Sequence, residues 1–434
     1  MSVCAQPGQA LRLFHAGHYR QAAEHYRQEL LAAEGLPASS EFAKDAILAA
    51  GILDGKSWCA QNGFAWRAPP YDPAWFASPD SQGAYPQAWR DENRRQAATL
   101  MERAYVGEAR NAQILVWGYL YDKPEGQPGT IFHVLSPKGE LIADEPYWLT
   151  LLDGKGSFKA IDREGRHALL DLASQVARHP MVKGDCIFIG SNRNWAHFLL
   201  DFCSNLYHYD HHPRRDSLIP VFGPLEGWQQ ELLEILGIDW RRGAQLQADM
   251  AHGHLYPFES LVIGATPPPA AAYRYLRGKL VAGRASKAGR LFLSRRGQGG
   301  RRRIANEAEV EAFLAAQGFE CLEIEALPVR DQIDRLASAD IVVFSMGAEM
   351  GNVALCREDA VIICLIPALY QLLPADYIYH AVSRYMLSSG CQTLPVFGLP
   401  ADPSQPQHRE MPCIYDRKDI EAALRMAERL QPAA

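Results

Sequence analysis

Several things are scarce in this chain. It has nine cysteines in 434 residues, an odd number, widely spaced and without a C-x-x-C pair. That excludes a disulfide framework and gives no structural zinc pattern, so a reduced, intracellular protein is expected. The longest apolar run, around Ala360–Leu369, is about half of what a membrane-spanning helix needs. No transmembrane segment is expected, and peripheral membrane contact stays open. The start, MSVCAQPGQALRLFHAGHYRQ, lacks the basic-then-apolar layout of a signal peptide and predicts a cytoplasmic location. Positive charge is not in excess: the formal net charge is −6, which gives no footprint for nucleic acid. Three chemical signatures are missing as well. There is no D-x-D to hold a divalent ion, no G-x-x-x-x-G-K-[ST] loop and no G-x-S-x-G elbow. Histidines crowd at His208, His211 and His212 and again at His252 and His254, but no further ligand comes at a usual spacing. No metal residue is assigned.

What is present is a soluble globular composition, 48% hydrophobic and 22% charged. The length predicts two or three domains. Residues 1–35 read as a helical hairpin, because Leu11, Phe14, Ala22, Ala23, Tyr26 and Leu30 recur at helical spacing around Gly17. The pattern over 9–34 resembles one tetratricopeptide repeat, either a plain helical cap or a docking element for a protein partner. Residues 36–110 are rich in aromatics and proline, show little periodicity, and are expected to pack on the first α/β domain. That domain spans 111–265, where strands alternate with helices, including a helix near 166–178 and the strands CIFIG and LIPVFG. TPPPAAA and a basic helix (266–289) read as a hinge and connection. A second α/β unit fills 290–400, and a loop and amphipathic helix close the chain over 401–434. The fold expected is α/β and GT-B-like: two facing Rossmann-like domains with an N-terminal helical hairpin.

Two stretches carry chemistry. His197 and Asp201 stand four residues apart on one face of a predicted helix, just past the carboxyl end of the CIFIG strand. Open α/β sheets bind ligands there, and an imidazole beside a carboxylate can take a proton from an acceptor hydroxyl. The same spacing also suits a hydrogen-bonded pair on a helix surface. In the second unit, Arg295 and Arg296 come after the strand RLFLS, and Arg303 precedes Asn306 and Glu307. Guanidinium groups bind phosphate oxygens bidentately. The turn at Gly347 and Ala348 lets backbone N–H groups approach an anion. Asp331 opens the preceding helix and suits a cap.

In order and spacing, five segments resemble glycosyltransferase family 61. They are His197–Phe202, Ser294–Arg296, Arg303–Glu307, Asp331–Ile333 and Gly347–Asn352, within about 185–367. The resemblance implies inverting transfer from a nucleotide sugar to a glycan, lipid-linked glycan or protein, in bacterial surface polysaccharide or glycoconjugate assembly. It implies no cofactor beyond the nucleotide-sugar co-substrate and no essential metal. Asp201 or His197 would be the base. Arg295 or Arg296 would hold the diphosphate, while Arg303, Asn306, Glu307, Asp331, Gly347, Ala348, Glu349 and Asn352 shape the donor pocket. The family's late turn commonly reads His-Gly-Ala-Gly, whereas this chain has Met346-Gly347-Ala348-Glu349. The alternative is therefore an impaired relative that serves as a binding or scaffold module through its N-terminal repeat.

Overall fold

The structure is a computed structural model, and the residues described are 52–53, 66–71, 85–119, 129–135, 137, 141–142, 176–248, 253–284, 289–296, 303–367, 370, 384–402 and 412–431. The hairpin expected over 1–35, the aromatic stretch 72–84, Arg301, Arg302, His252 and the loop 403–411 lie outside them.

The first helix among the described residues is α1 (Gln87–Arg103). The sequence predicts irregular chain over 36–110, and the reason for the difference is visible on its inner face. Trp89, Asn93 and Gln96 are the buried residues, at helical spacing but mostly polar, so no apolar period marks them. Asn93 accepts a hydrogen bond from Ser388 Oγ at 3.0 Å, which ties α1 to the second half.

A mixed sheet comes next: β1 (Val106–Arg110), β2 (Gln113–Tyr119), β3 (Gly129–Leu135), β4 (Val182–Phe188), β5 (Ile219–Phe222) and β6 (Gly253–Gly264). The twelve-residue β6 organises it. One edge pairs antiparallel with β2 over His254–Pro257 and with β1 over Ser260–Gly264. The chain passes between those two strands through Asn111, whose φ of 56° is the left-handed conformation asparagine tolerates. The other edge of β6 pairs parallel with β4, and β4 with β5. Burial alternates along β2, with Ile114 and Val116 inside, as a period of two requires. Residues 176–178, expected as the end of a helix, form a short strand parallel to β6. Helix α2 (Gly227–Ile235) comes after β5, and α3 (Pro269–Leu280) after β6 with proline at its first position.

The second sheet runs β7 (Gly289–Leu293), β8 (Glu320–Leu322), β9 (Ala339–Ser345), β10 (Val361–Pro367), β11 (Gln392–Pro400) and β12 (Cys413–Ile414) in chain order. In space the order is β8-β7-β9-β10-β11-β12, with the first five parallel and β12 an antiparallel edge. That is the doubly wound order two-one-three-four-five. Every residue of β10 is buried, so the strand shows no alternation, as expected where helices cover both faces. Helices α4 (Glu307–Ala316) and α6 (Arg417–Leu430) cover one face and α5 (Val329–Ser338) the other. Asp416 caps α6 by accepting from Lys418 N at 2.8 Å, and Ile420, Leu424 and Ala427 point inward.

One body of buried apolar side chains runs from β9 and α5 through Met350 and Val353 to Ala196, Phe198 and the α3 residues Ala271, Ala272 and Tyr273. The two halves share this core. Arg277 of α3 is buried and donates to the carbonyls of Val353, Cys356 and Ser389. Its charge thereby offsets the negative end of the helical turn at 348–355.

Candidate active site

Past the carboxyl end of β4 the chain enters a helical stretch through an asparagine cap. Asn192 Oδ1 accepts from Asn194 N at 2.7 Å, and Asn194 Oδ1 accepts from His197 N at 3.2 Å. The stretch begins as one α turn (Trp195–His197) and widens into a π turn over Phe198–Phe202. It then narrows to a 3₁₀ turn before a final α turn, Leu206–Asp210. Single π turns inside helices are uncommon and concentrate at functional sites. This one holds Asp201.

His197 Nδ1 lies 2.7 Å from Asp201 Oδ2. The other carboxylate oxygen, Oδ1, accepts from Arg384 Nη2. Tyr385 Oη lies 3.5 Å from His197 Nδ1, and the Tyr385 carbonyl accepts from Tyr273 Oη at 2.7 Å, which pins this segment to α3. The Asp201 side chain is only 2% exposed. Burial alone would raise its pKa, but the Arg384 charge and the His197 hydrogen bond outweigh burial and hold it below the ordinary carboxylate range. An ionised, doubly engaged carboxylate of this kind is a poor proton acceptor. With the carboxylate ionised, His197 Nδ1 is the donor in this contact, which orients the ring.

On the second sheet, β7 and β9 are neighbours at the topological switch point, where doubly wound sheets bind ligands. The residues just past their carboxyl ends meet there. Arg295 Nε is 3.0 Å from Glu349 Oε1, with side chains 11% and 7% exposed. Glu307 Oε1 accepts from Arg295 N at 2.6 Å and from Ser294 Oγ at 3.1 Å. A Cβ on Gly347 would stand 2.7 Å from Glu349 Oε2 and 3.1 Å from Arg295 Nη1, so glycine keeps this corner open. The 3₁₀ turn Ala348–Leu355 then docks on the other half. A Cβ on Gly351 would stand 2.7 Å from Ala196 Cα, and Asn352 Oδ1 accepts from Trp195 Nε1 at 2.6 Å.

The remaining predicted donor residues are placed elsewhere. Arg296 pairs with Glu311 of α4. Arg303 is exposed and contributes its carbonyl to Cys413 N at 3.0 Å. Asn306 clamps the Tyr415 backbone, donating to its carbonyl at 3.0 Å and accepting from its N–H at 3.1 Å. Asp331 is exposed on the first turn of α5.

Between the halves lies a cleft of about 330 Å³, walled by Arg193, Trp195, Trp228 and Glu231 on one side and by Leu327, Gln332, Glu349 and Asn352 on the other. Glu231 accepts from Val329 N and Arg330 N, both at 3.3 Å, capping α5 from the opposite half. His197 and Asp201 do not line this cleft. Among the described residues no cluster of three or more His, Cys, Asp or Glu is placed to hold a metal ion.

Residues 195–363 match the family model of glycosyltransferase 61. Over these residues the chain is similar to glycosyltransferase family 61. No curated protein matches the chain. The matched region begins at Trp195, the residue after the Asn194 cap, and ends within β10. It therefore takes in His197, Asp201, Arg295 and the Gly347–Asn352 turn. Arg384 and Tyr385 fall outside it and were not singled out in the sequence. Their only sequence signal is a lone arginine in the otherwise uncharged segment AVSRYMLSSG. No helix among the described residues is long and apolar enough to cross a membrane.

Proposed function

We propose that the protein is an inverting glycosyltransferase in which His197 is the base, Asp201 and Arg384 position it, and Arg295 receives the diphosphate of a nucleotide-sugar donor. The observation that carries this is the buried Arg384–Asp201–His197 chain, which orients an imidazole and keeps the carboxylate ionised. In the step proposed, the acceptor hydroxyl oxygen attacks the anomeric carbon while its proton passes to His197. The bond from that carbon to the diphosphate breaks, and the nucleoside diphosphate leaves with the electron pair. One displacement inverts the centre. The Arg295 guanidinium offsets the charge that develops on the leaving group, with no essential metal. The acceptor is a glycan, a lipid-linked glycan or a protein, in bacterial surface polysaccharide or glycoconjugate assembly.

Incubation with a panel of nucleotide sugars and chelator tests this. Release of nucleoside diphosphate that persists in chelator and disappears in His197→Ala supports the proposal; binding of no nucleoside diphosphate by calorimetry sinks it.

A second function is favoured by one contact. Glu349 already neutralises Arg295, so a diphosphate must displace a buried carboxylate. If it cannot, the protein is a binding module that keeps the transferase fold.

A further inference from the structure

The cleft between the halves is not explained by the proton transfer or by the diphosphate. Two indoles form its first wall. Trp195 and Trp228 have ring centroids 5.2 Å apart with planes inclined 49°. Both indole N–H groups are committed, Trp195 to Asn352 and Trp228 to Glu226 Oε2 at 3.1 Å. The rings are thus held in place and present apolar faces. Around them stand groups that hydrogen-bond hydroxyls: the Glu231 carboxylate and the Gln332 and Asn352 amides. The ionisable lining is acidic apart from Arg193, whose guanidinium is held by Glu226. At about 330 Å³ the cleft is at the small end of ligand pockets, which run to about 1,000 Å³. It suits a sugar ring or two.

We infer that this cleft binds an uncharged, hydroxyl-bearing sugar ring against Trp228 and Trp195, and that Glu231 makes it reject sugars carrying a carboxylate. The inference rests on the transferase function proposed above. The ring is either the sugar of the donor or the terminal sugar of the acceptor, and two arms of one calorimetric experiment on the full chain separate these. The donor arm compares UDP-glucose with UDP-glucuronic acid, which differ by one carboxylate. The acceptor arm titrates methyl glucoside, methyl galactoside and methyl glucuronide into protein with and without UDP.

A donor sugar in the cleft gives at least fivefold preference for UDP-glucose over UDP-glucuronic acid, falling toward parity in Glu231→Gln. An acceptor sugar gives no such preference in the donor arm. Instead a neutral methyl glycoside binds and the glucuronide does not, with the same relaxation in Glu231→Gln. In either case Trp228→Ala loses at least tenfold in sugar affinity while Trp228→Phe, which keeps an aromatic face, retains most of it. Equal binding of neutral and carboxylated sugars in both arms, or full sugar affinity in Trp228→Ala, overturns the inference. Binding of UDP alone, measured in wild type and Arg295→Ala, reports on the transferase function separately. Its absence with methyl glycosides still bound would count against the transferase and not against the cleft.

Discussion

Arg384 and Asp201 lie 183 residues apart in the chain and share a buried ion pair. The carboxylate belongs to a π turn after β4, and the guanidinium to a segment held by Tyr273 of α3. The carboxylate is thereby engaged on both oxygens, by Arg384 and by His197, and stays ionised.

Arg384→Ala is expected to leave Asp201 buried with one partner. Breaking a buried pair this way costs about 3–5 kcal/mol. Urea denaturation at neutral pH measures the loss. The acid limb of stability should move as well. Asp201 has a folded pKa below its unfolded value of about 3.9, so its contribution is full above that value and is lost as pH falls through the lower folded one. Without Arg384 the folded pKa rises and the loss sets in at higher pH. An unchanged acid limb would contradict the assignment.

His208 makes a second pH prediction. It is buried, and burial pushes its pKa down to about 4, with Arg67 and His211 adding to the effect against a hydrogen bond to the Ala265 carbonyl. The unfolded chain binds this proton more tightly, with a pKa of about 6.5. Stability from the neutral ring is full above about 6.5 and is lost as pH falls toward 4, on the order of 3 kcal/mol in all. Thermal unfolding from about pH 8 to about pH 4 should show this slope, and His208→Gln should flatten it.

Glu349→Gln should remove the carboxylate charge beside Arg295 while keeping a hydrogen-bonding group in place. Nucleoside diphosphate affinity should rise by about tenfold, corresponding to about 1.4 kcal/mol. Arg295→Ala should lower affinity by about 1.5–3 kcal/mol, the worth of a charged hydrogen bond. Calorimetry with both variants decides whether the pair guards a diphosphate site. Weaker binding in Glu349→Gln would show that the carboxylate contacts the ligand itself.

Gly351→Ala should strain the contact between halves, since its Cβ meets the Ala196 backbone. Overpacking of this kind costs about 1–3 kcal/mol. Gly227→Ala, where a Cβ meets nothing within 4 Å, serves as the control in the same denaturation series.

Much of the second half was legible in the chain. The strand, helix and turn order from Gly289 to Pro367 arises from apolar runs interrupted by caps and glycine, and α6 spans Arg417–Leu430 where its apolar period predicts. Local periodicity suffices when one face of an element is apolar. It failed for α1, whose buried face is Trp89, Asn93 and Gln96, and for residues 176–178, which are strand only because β6 lies beside them.

The sequence by itself placed His197 and Asp201 on one helical face, four residues apart. It also determined that arginine and glycine stand at the ends of parallel strands. Only the tertiary structure decided what those groups touch. The strand order set Arg295 against Glu349, and the shared core brought Trp228 and Glu231 to face α5. The same packing brought Arg384 to Asp201. Contacts between residues distant in the chain leave no period or spacing in the sequence, because they depend on how the elements pack and not on any one element's geometry.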